Sequence, residues 1–265
     1  MDNLLFYGVC RSKTALHSTL RRLGGETDVP QGIQQAVLIR SGLQCNSACR
    51  FCEHGSEQRD SSVLSSAEVL AELDATDLEG RTAVLSGGEV TLHKDLVQWV
   101  GRARERGAAR VVVQTNGRML AYPKWVRILS RAGCDIFAVA LHGHRADLHD
   151  WLTRSEGSFE QTLKGLENLR AAQAVTLVNS VITRSNYRHM PELVQLVARH
   201  GVAAVRFVWP KRSGDAVAEW PMLEPDPAMV TRYGKLASEV GEKLRVRVSF
   251  DGTRIESPAE VKHVG

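Results

Sequence analysis

The sequence predicts an α/β fold, either a barrel or a doubly wound parallel sheet, on three observations. Short runs with largely apolar interiors alternate with longer amphipathic stretches from about residue 36 onward, as parallel strands covered on both faces require. Strand starts recur at intervals suited to a βαβ unit of roughly 30 residues or more. Glycines stand where a helix must stop before the next strand, at Gly107, Gly133 and Gly201. A length of 265 residues suits one or two domains, or a βα barrel that uses the whole chain as one.

The strands are expected at residues 36–40, 82–86, 110–115, 135–142, 175–183, 203–209 and 245–250. Between the second and third, Leu96, Val97, Val100 and Ala103 recur at helical spacing. Phe159, Leu163, Leu166 and Leu169 do so after the fourth, and Leu193, Val194 and Val197 after the fifth. Ser158 with Gln161 three residues on reads as a capping box, and Pro191 opens the next helix. Residues 210–227 hold four of the eight prolines and read as a loop. A last helix carries Met229, Val230, Tyr233, Leu236 and Val240 on one face. Residues 1–35, with Arg21-Arg22 and a Gly- and Pro-containing link, form an N-terminal extension.

Composition removes several classes. Hydrophobic content of 43% and charged content of 24% argue against disorder and coiled coil. The longest apolar run, residues 136–141, falls far short of the roughly 18 residues of a membrane span. The first six residues lack a charged leader followed by an apolar core, so a soluble cytoplasmic protein is expected. The net charge of +4 is spread along the chain, without the clustered basic face that nucleic acid demands. Arg102, Arg104 and Arg106 fall on an expected helix and read as a solvated face.

Cysteine carries the chemistry. Of Cys10, Cys45, Cys49, Cys52 and Cys134, three fall within eight residues directly after the first strand. An odd count without a secretory leader argues against a disulfide framework. Three thiolates at C-x3-C-x2-C spacing suit one soft metal centre, an iron–sulfur cluster or zinc. Zinc would take Cys45, Cys49, Cys52 and His54 as four ligands of a structural site. Both remain open on spacing alone.

With Phe51 before its last cysteine, this motif resembles that of the radical S-adenosylmethionine (radical SAM) enzymes. The resemblance continues at successive strand ends over residues 36–209. It takes in Gly87-Gly88-Glu89, then Thr115-Asn116-Gly117, then His142-Gly143 with His149-Asp150, and Asn179 with Asn186. It implies a partial (β/α)6 TIM-like barrel over residues 36–212, with residues 213–265 as a C-terminal extension of loop, helix and strand. It further implies that Cys45, Cys49 and Cys52 hold one [4Fe-4S] cluster, whose open iron is chelated by S-adenosylmethionine.

By the same resemblance, Gly87 and Gly88 admit the methionine moiety close to the backbone and Glu89 accepts from its amino group. Thr115, Asn116 and Asn179 contact the cofactor, the backbone near Phe51 supports the adenine, and Trp209 lines the same cavity. Relatives often carry a serine on the fourth strand where this chain has Ala140, and His142 on the same strand face stands in for it. His149 reads as a helix-start contact and Cys134 as structural. Arg184, Arg188, Lys211 and Arg212 follow the fifth and sixth strands and suit an anionic substrate group.

The activity implied is reductive cleavage of S-adenosylmethionine to a 5′-deoxyadenosyl radical, with an external one-electron donor such as flavodoxin or ferredoxin. That radical abstracts hydrogen from a peptide or small-metabolite substrate. No cysteine follows Cys134, so further cysteine-ligated clusters are not expected. Rearrangement, epimerisation, elimination or carbon–carbon bond formation is favoured over oxidation. The rival classes are a zinc-stabilised α/β binding protein and a cluster-binding scaffold without catalysis.

Overall fold

The computed structural model describes residues 36–55 and 63–251; the N-terminal extension and Cys10 lie outside them. Seven strands form one sheet: β1 (Ala36–Arg40), β2 (Thr82–Ser86), β3 (Arg110–Thr115), β4 (Ile136–Ala140), β5 (Val175–Val181), β6 (Ala204–Val208) and β7 (Arg247–Asp251). The spatial order equals the chain order and every pairing is parallel. That order decides between the two expected architectures. A doubly wound sheet reverses direction at a switch point. Right-handed crossovers that always advance one strand put every helix on the same face and curl the sheet, which gives an open barrel.

The helices among the described residues are α1 (Ser66–Ala75), α2 (Leu96–Glu105), α3 (Pro123–Ala132), α4 (Ala146–Thr153), α5 (Ser158–Ala171), α6 (Met190–Arg199), α7 (Ala216–Leu223) and α8 (Pro227–Leu244). Helix α1 opens on a capping box between Ser65 and Glu68. Helix α3 begins with Pro123 and ends on Gly133 in the left-handed conformation.

Strand alternation separates two apolar layers. Ile39, Leu85, Val113, Val139, Val178, Val205 and Phe207 face the helices and join the main core. Val84, Val112, Ile136 and Ala138 face the barrel interior, with Leu38 and Leu177 against them. Toward the strand C-termini the interior turns polar: Gln114, Asn179 and Arg206 follow on that face.

Three features depart from the expectations. Strand β7, assigned to the C-terminal extension, pairs with β6 from Ala204↔Arg247 to Val208↔Asp251, so the sheet has one strand more than six. The proline-containing stretch 210–227 is not all loop, since α7 forms there with Pro221 inside it. Proline disfavours that position locally, but Ala216 and Leu223 bury fully, and this burial sets the conformation. Finally, Ser158 is the first helical residue of α5 rather than its cap. Asp150 caps the helix instead, with one carboxylate oxygen accepting from Ser158 Oγ and Phe159 N (both 2.8 Å) and the other from Gly157 N (2.7 Å).

Candidate active site

The loop after β1 carries Cys45, Cys49 and Cys52, and three elements fix it at the C-terminal mouth of the barrel. The end of β2 holds its start, with Gly88 N donating to Gly42 O (2.9 Å) and Glu89 N to Gln44 O (2.7 Å). The end of α4 holds its middle, as Ala48 N donates to Thr153 O (3.0 Å) and Arg50 N to Leu152 O (2.9 Å). Its end is held at the start of α7, where Asp215 N donates to Cys52 O (2.9 Å). Arg50 adds a clamp: its guanidinium lies 4.3 Å from the Trp151 ring centre and pairs with Glu219 at 2.8 Å. Glu219 also pairs with Arg154. Beneath the loop, Phe51, Leu148, Leu152, Val181, Ala216 and Leu223 form a small core of their own. The cysteine loop is thus built into the fold rather than draped over it.

A cavity opens under this loop. Cys45, Cys49 and Phe51 form one wall and Gly87, Gly88 and Ser86 the wall at the end of β2. Thr115 at the end of β3, with Asn116 and Arg118 just beyond it, closes it on one side, and His142, two residues past the end of β4 rather than on the strand as expected, and His149 of α4 on the other. A Cβ on Gly88 would stand 2.5 Å from the Leu43 carbonyl carbon, and one on Gly87 2.6 Å from Ser41 Oγ. Both glycines are therefore required by the approach of β2 to the cysteine loop itself.

Glu89 is 1% exposed and knots β2 to β3. Its Oε1 accepts from Thr91 N (3.1 Å), Thr91 Oγ and Thr115 Oγ (2.6 Å), and its Oε2 from Asn116 N (2.6 Å). Burial raises its pKa above the ordinary carboxyl value, and the four hydrogen bonds oppose that rise. Asn116, fixed in this way, donates from Nδ2 to Asn46 Oδ1 (2.7 Å). Arg118 donates to Asn46 O and, at 2.6 Å, to Gln161 Oε1. The chain of contacts runs from a buried carboxylate through β3 to the residue beside Cys45.

Two histidines complete the cavity. His142 and His149 are 3% and 2% exposed, with rings 5.7 Å apart and nearly parallel at 8°. Burial lowers the pKa of both, that of His149 to about 4, so both are neutral at physiological pH. Phe51 meets the His142 ring edge-on at 4.5 Å.

Among the described residues, no three His, Cys, Asp or Glu side chains converge to hold a single metal ion. Among the described residues Cys45, Cys49, Cys52 and His54 do not stand as one single-ion ligand group; burial, with the charges of Arg40 and Lys211 adding to it, lowers the pKa of His54. Three thiols on one loop, over a glycine-walled cavity, fit a multi-iron cluster by donor chemistry.

The profile of the Radical SAM superfamily matches residues 39–197. The chain belongs to that superfamily. This radical SAM protein is 30% identical over 209 residues to the mycofactocin maturase MftC of Mycobacterium ulcerans, covering 78% of the chain and 55% of the maturase. It is 30% identical over 175 residues to the AdoMet-dependent heme synthase of Methanosarcina barkeri, covering 64% of the chain and 50% of the synthase. The chain thus spans about half the length of these curated relatives. In fold it is similar to Streptococcus suis SuiB bound to S-adenosylmethionine, with a TM-score of 0.69 at 16% identity over 84% of the chain and 52% of SuiB.

Of the expected contact residues of this radical SAM protein, Phe51, Gly87, Gly88, Thr115, Asn116 and His142 line the cavity with Cys45 and Cys49, and Cys52 is buried at the end of the same loop. Glu89 lies behind the wall, with its oxygens turned to β3. Asn179 sits on the inner face between Ala140 and Arg206, and Trp209 packs against the main core. Arg184 and Arg188 are exposed, and Lys211 stands 3.7 Å from Glu53. Sequence reading passed over Asn46, Arg118 and the cavity position of His149. Arg118 follows Thr115-Asn116-Gly117 directly, a signal that was present.

Cys134 lies at the N-terminal end of β4, away from the site, and burial pushes its thiol up to about 12. At pH 8 the thiolate needed for alkylation is then about one part in 10⁴. Peptide mapping of cluster-free folded protein after brief iodoacetamide treatment is expected to show Cys45 and Cys49 modified and Cys134 intact.

Proposed function

We propose that this chain is a single-cluster radical SAM enzyme acting on a peptide or small metabolite. The observation that carries the reading is the three-thiol loop clamped over a cavity whose facing wall is Gly87-Gly88. Cys45, Cys49 and Cys52 would hold one [4Fe-4S] cluster, and S-adenosylmethionine would lie along Gly87, Gly88, Thr115, Asn116 and His142. Together the two supply, when bound, a reductively generated 5′-deoxyadenosyl radical for hydrogen abstraction from an unactivated C–H bond.

The protein's part is placement and exclusion. Glu89 holds the Asn116 backbone, Asn116 and Arg118 hold the loop at Asn46, and Phe51 with its small core anchors the loop that carries the cysteines. Ala140 leaves space where a serine hydroxyl would stand, and Asn179 lies one strand further along the barrel wall. Arg184, Arg188, Lys211 and Arg212 favour a substrate with an anionic group. An external donor such as flavodoxin or ferredoxin supplies the electron, and the segments outside residues 36–212 shape substrate access. The peptide reading draws on the maturase, and on SuiB, which has also been solved bound to its precursor peptide SuiA. The metabolite reading draws on the heme synthase.

The test is anaerobic reconstitution followed by dithionite and S-adenosylmethionine. Formation of 5′-deoxyadenosine that is abolished by Cys45→Ala supports the reading. Cluster binding without any 5′-deoxyadenosine favours a scaffold, and a colourless protein with stoichiometric zinc favours the structural-zinc class.

A further inference from the structure

Helix α7 is apolar on both sides, although one side faces solvent. Inward, Ala216, Trp220 and Leu223 recur at helical spacing and pack with Phe51 beneath the cysteine loop. Outward, Val217 and Met222 are 50% and 49% exposed, and Ala218 and Pro221 between them are exposed as well. Glu219 is the one charged residue of the helix, and its two carboxylate oxygens are taken by Arg50 and Arg154. A helix with apolar residues all round is normally buried, so the outer strip calls for a partner. Its position says which kind. Gly214, just before the helix, lies so close to the loop that an added Cβ would stand 2.5 Å from Cys52 O, and Asp215 N donates to that oxygen at 2.9 Å. Cys49 packs in the same small core as Trp151 and Trp220. One helix, about 10 Å across with its side chains, therefore separates the strip from the loop at Cys49 and Cys52. Electron tunnelling weakens steeply with distance, and the other side of the cysteine loop is the cavity.

The rim of the strip is cationic. Lys211 and Arg212 precede the helix and are exposed, as is Arg154, and Arg184 donates from Nη1 to Pro221 O at 3.2 Å. Of the acids nearby, Glu53 and Glu219 bury their side chains against Lys211 and the two arginines, which leaves Asp215 half-buried and Glu224 and Asp226 exposed. We propose that the outer face of α7 is the docking surface for the one-electron donor, an acidic flavoprotein carrier that lays the apolar edge of its flavin on Val217, Ala218, Pro221 and Met222. This rests on the reading above, in which the cysteine loop holds a [4Fe-4S] cluster. The flavin hydroquinone anion gives up one electron, the cluster passes from 2+ to 1+, and no proton crosses the interface. The rim charges steer an acidic surface over a Debye length, about 8 Å at physiological salt. That leaves their role toward an anionic substrate at the barrel mouth intact.

The double variant Val217→Glu, Met222→Glu puts two like charges in the path of an acidic partner and leaves the inner face of the helix untouched, so the fold should hold. On anaerobic, cluster-loaded protein, reduction by limiting flavodoxin hydroquinone is followed by bleaching of the visible absorption of the cluster. That reduction is expected to slow about tenfold in the double variant, whereas dithionite, which needs no docking surface, reduces both proteins to the same extent. Titration calorimetry with oxidised flavodoxin is expected to show binding weakened about tenfold, or about 1.4 kcal/mol. Added salt is expected to weaken wild-type binding. Leu236→Glu serves as the control, because Leu236 is 40% exposed on α8, which packs on α6 and β7.

Equal flavodoxin affinity and equal reduction rates in the double variant and wild type would overturn the docking surface. So would a change of oligomeric state in the double variant with an unchanged flavodoxin rate, since the strip would then cover a second copy of this chain. If dithionite reduces the wild-type cluster and flavodoxin does not, the donor proposal falls and the cluster assignment stands. If wild-type protein takes up no cluster at all, the underlying reading of the cysteine loop fails instead.

Discussion

Gly88→Ala is expected to lower stability by about 3 kcal/mol, the upper part of the range for overpacking, and to reduce iron incorporation after reconstitution to a small fraction of wild type. The added methyl group would meet the carbonyl groups of Leu43 and Gln44, which are backbone and cannot rotate away as a side chain would. Relief requires β2 and the cysteine loop to part, breaking the bonds from Gly88 N to Gly42 O and from Glu89 N to Gln44 O. Cys45 follows Gln44 directly, so the disturbance reaches the first thiol at once. Denaturant unfolding and iron content measured on the same preparation check both halves. Gly101→Ala, on α2 where an added Cβ meets nothing within 4 Å, serves as the control and is expected to be neutral or slightly stabilising.

The second large effect is expected at Glu89. Glu89→Ala strips the acceptors from the buried backbone N–H of Thr91, the half-buried backbone N–H of Asn116, and the buried hydroxyls of Thr91 and Thr115. Each buried group left unpaired costs about 1–3 kcal/mol. A total loss of about 4 kcal/mol is expected after partial relaxation. Glu89→Gln is expected to cost about 2 kcal/mol, because its NH2 must face either Asn116 N–H or the donors gathered on Oε1. Chemical denaturation of the two variants beside wild type should show this order. Equal stability of Glu89→Gln and wild type would mean that the carboxylate does not knot β2 to β3.

The fold was legible where physics is local. Strands β1 to β3 have the bounds that apolar runs and flanking turns predict, and Gly107, Gly133 and Gly201 take positive φ at the ends of helices. Tertiary contact overrode the local signal elsewhere. Pro221 marks a loop by its own propensity, yet burial of Ala216 and Leu223 beneath the cysteine loop makes the segment a helix. Ser158 looks like a cap, but the Asp150 carboxylate arrives first from the preceding helix. β7 was foreseen as a strand; its place in the sheet depends on pairing with β6, which no local pattern encodes.

The site divides along the same line. Cys45, Cys49, Cys52, Gly87 and Gly88 announce themselves because their chemistry demands rare residue types at short spacing. Asn46, Arg118 and His149 come from three segments, and only the folded open barrel brings Arg118 and His149 to one cavity wall and sets Asn46 against Asn116 and Arg118. Glu89 was found by motif, but its partners Thr91, Thr115 and Asn116 show that its oxygens face β3. No helix among the described residues is long and apolar enough to cross a membrane, as the short apolar runs implied.

The most direct test of the central claim is electron paramagnetic resonance of the dithionite-reduced, anaerobically reconstituted protein, recorded with and without S-adenosylmethionine alongside iron and zinc content. The account predicts about four irons per chain, a reduced-cluster signal that changes shape when S-adenosylmethionine is added, and loss of that signal in Cys49→Ala. A cluster signal indifferent to S-adenosylmethionine, or a signal-free protein with one zinc per chain, would contradict the assignment of the cysteine loop and the cavity beneath it.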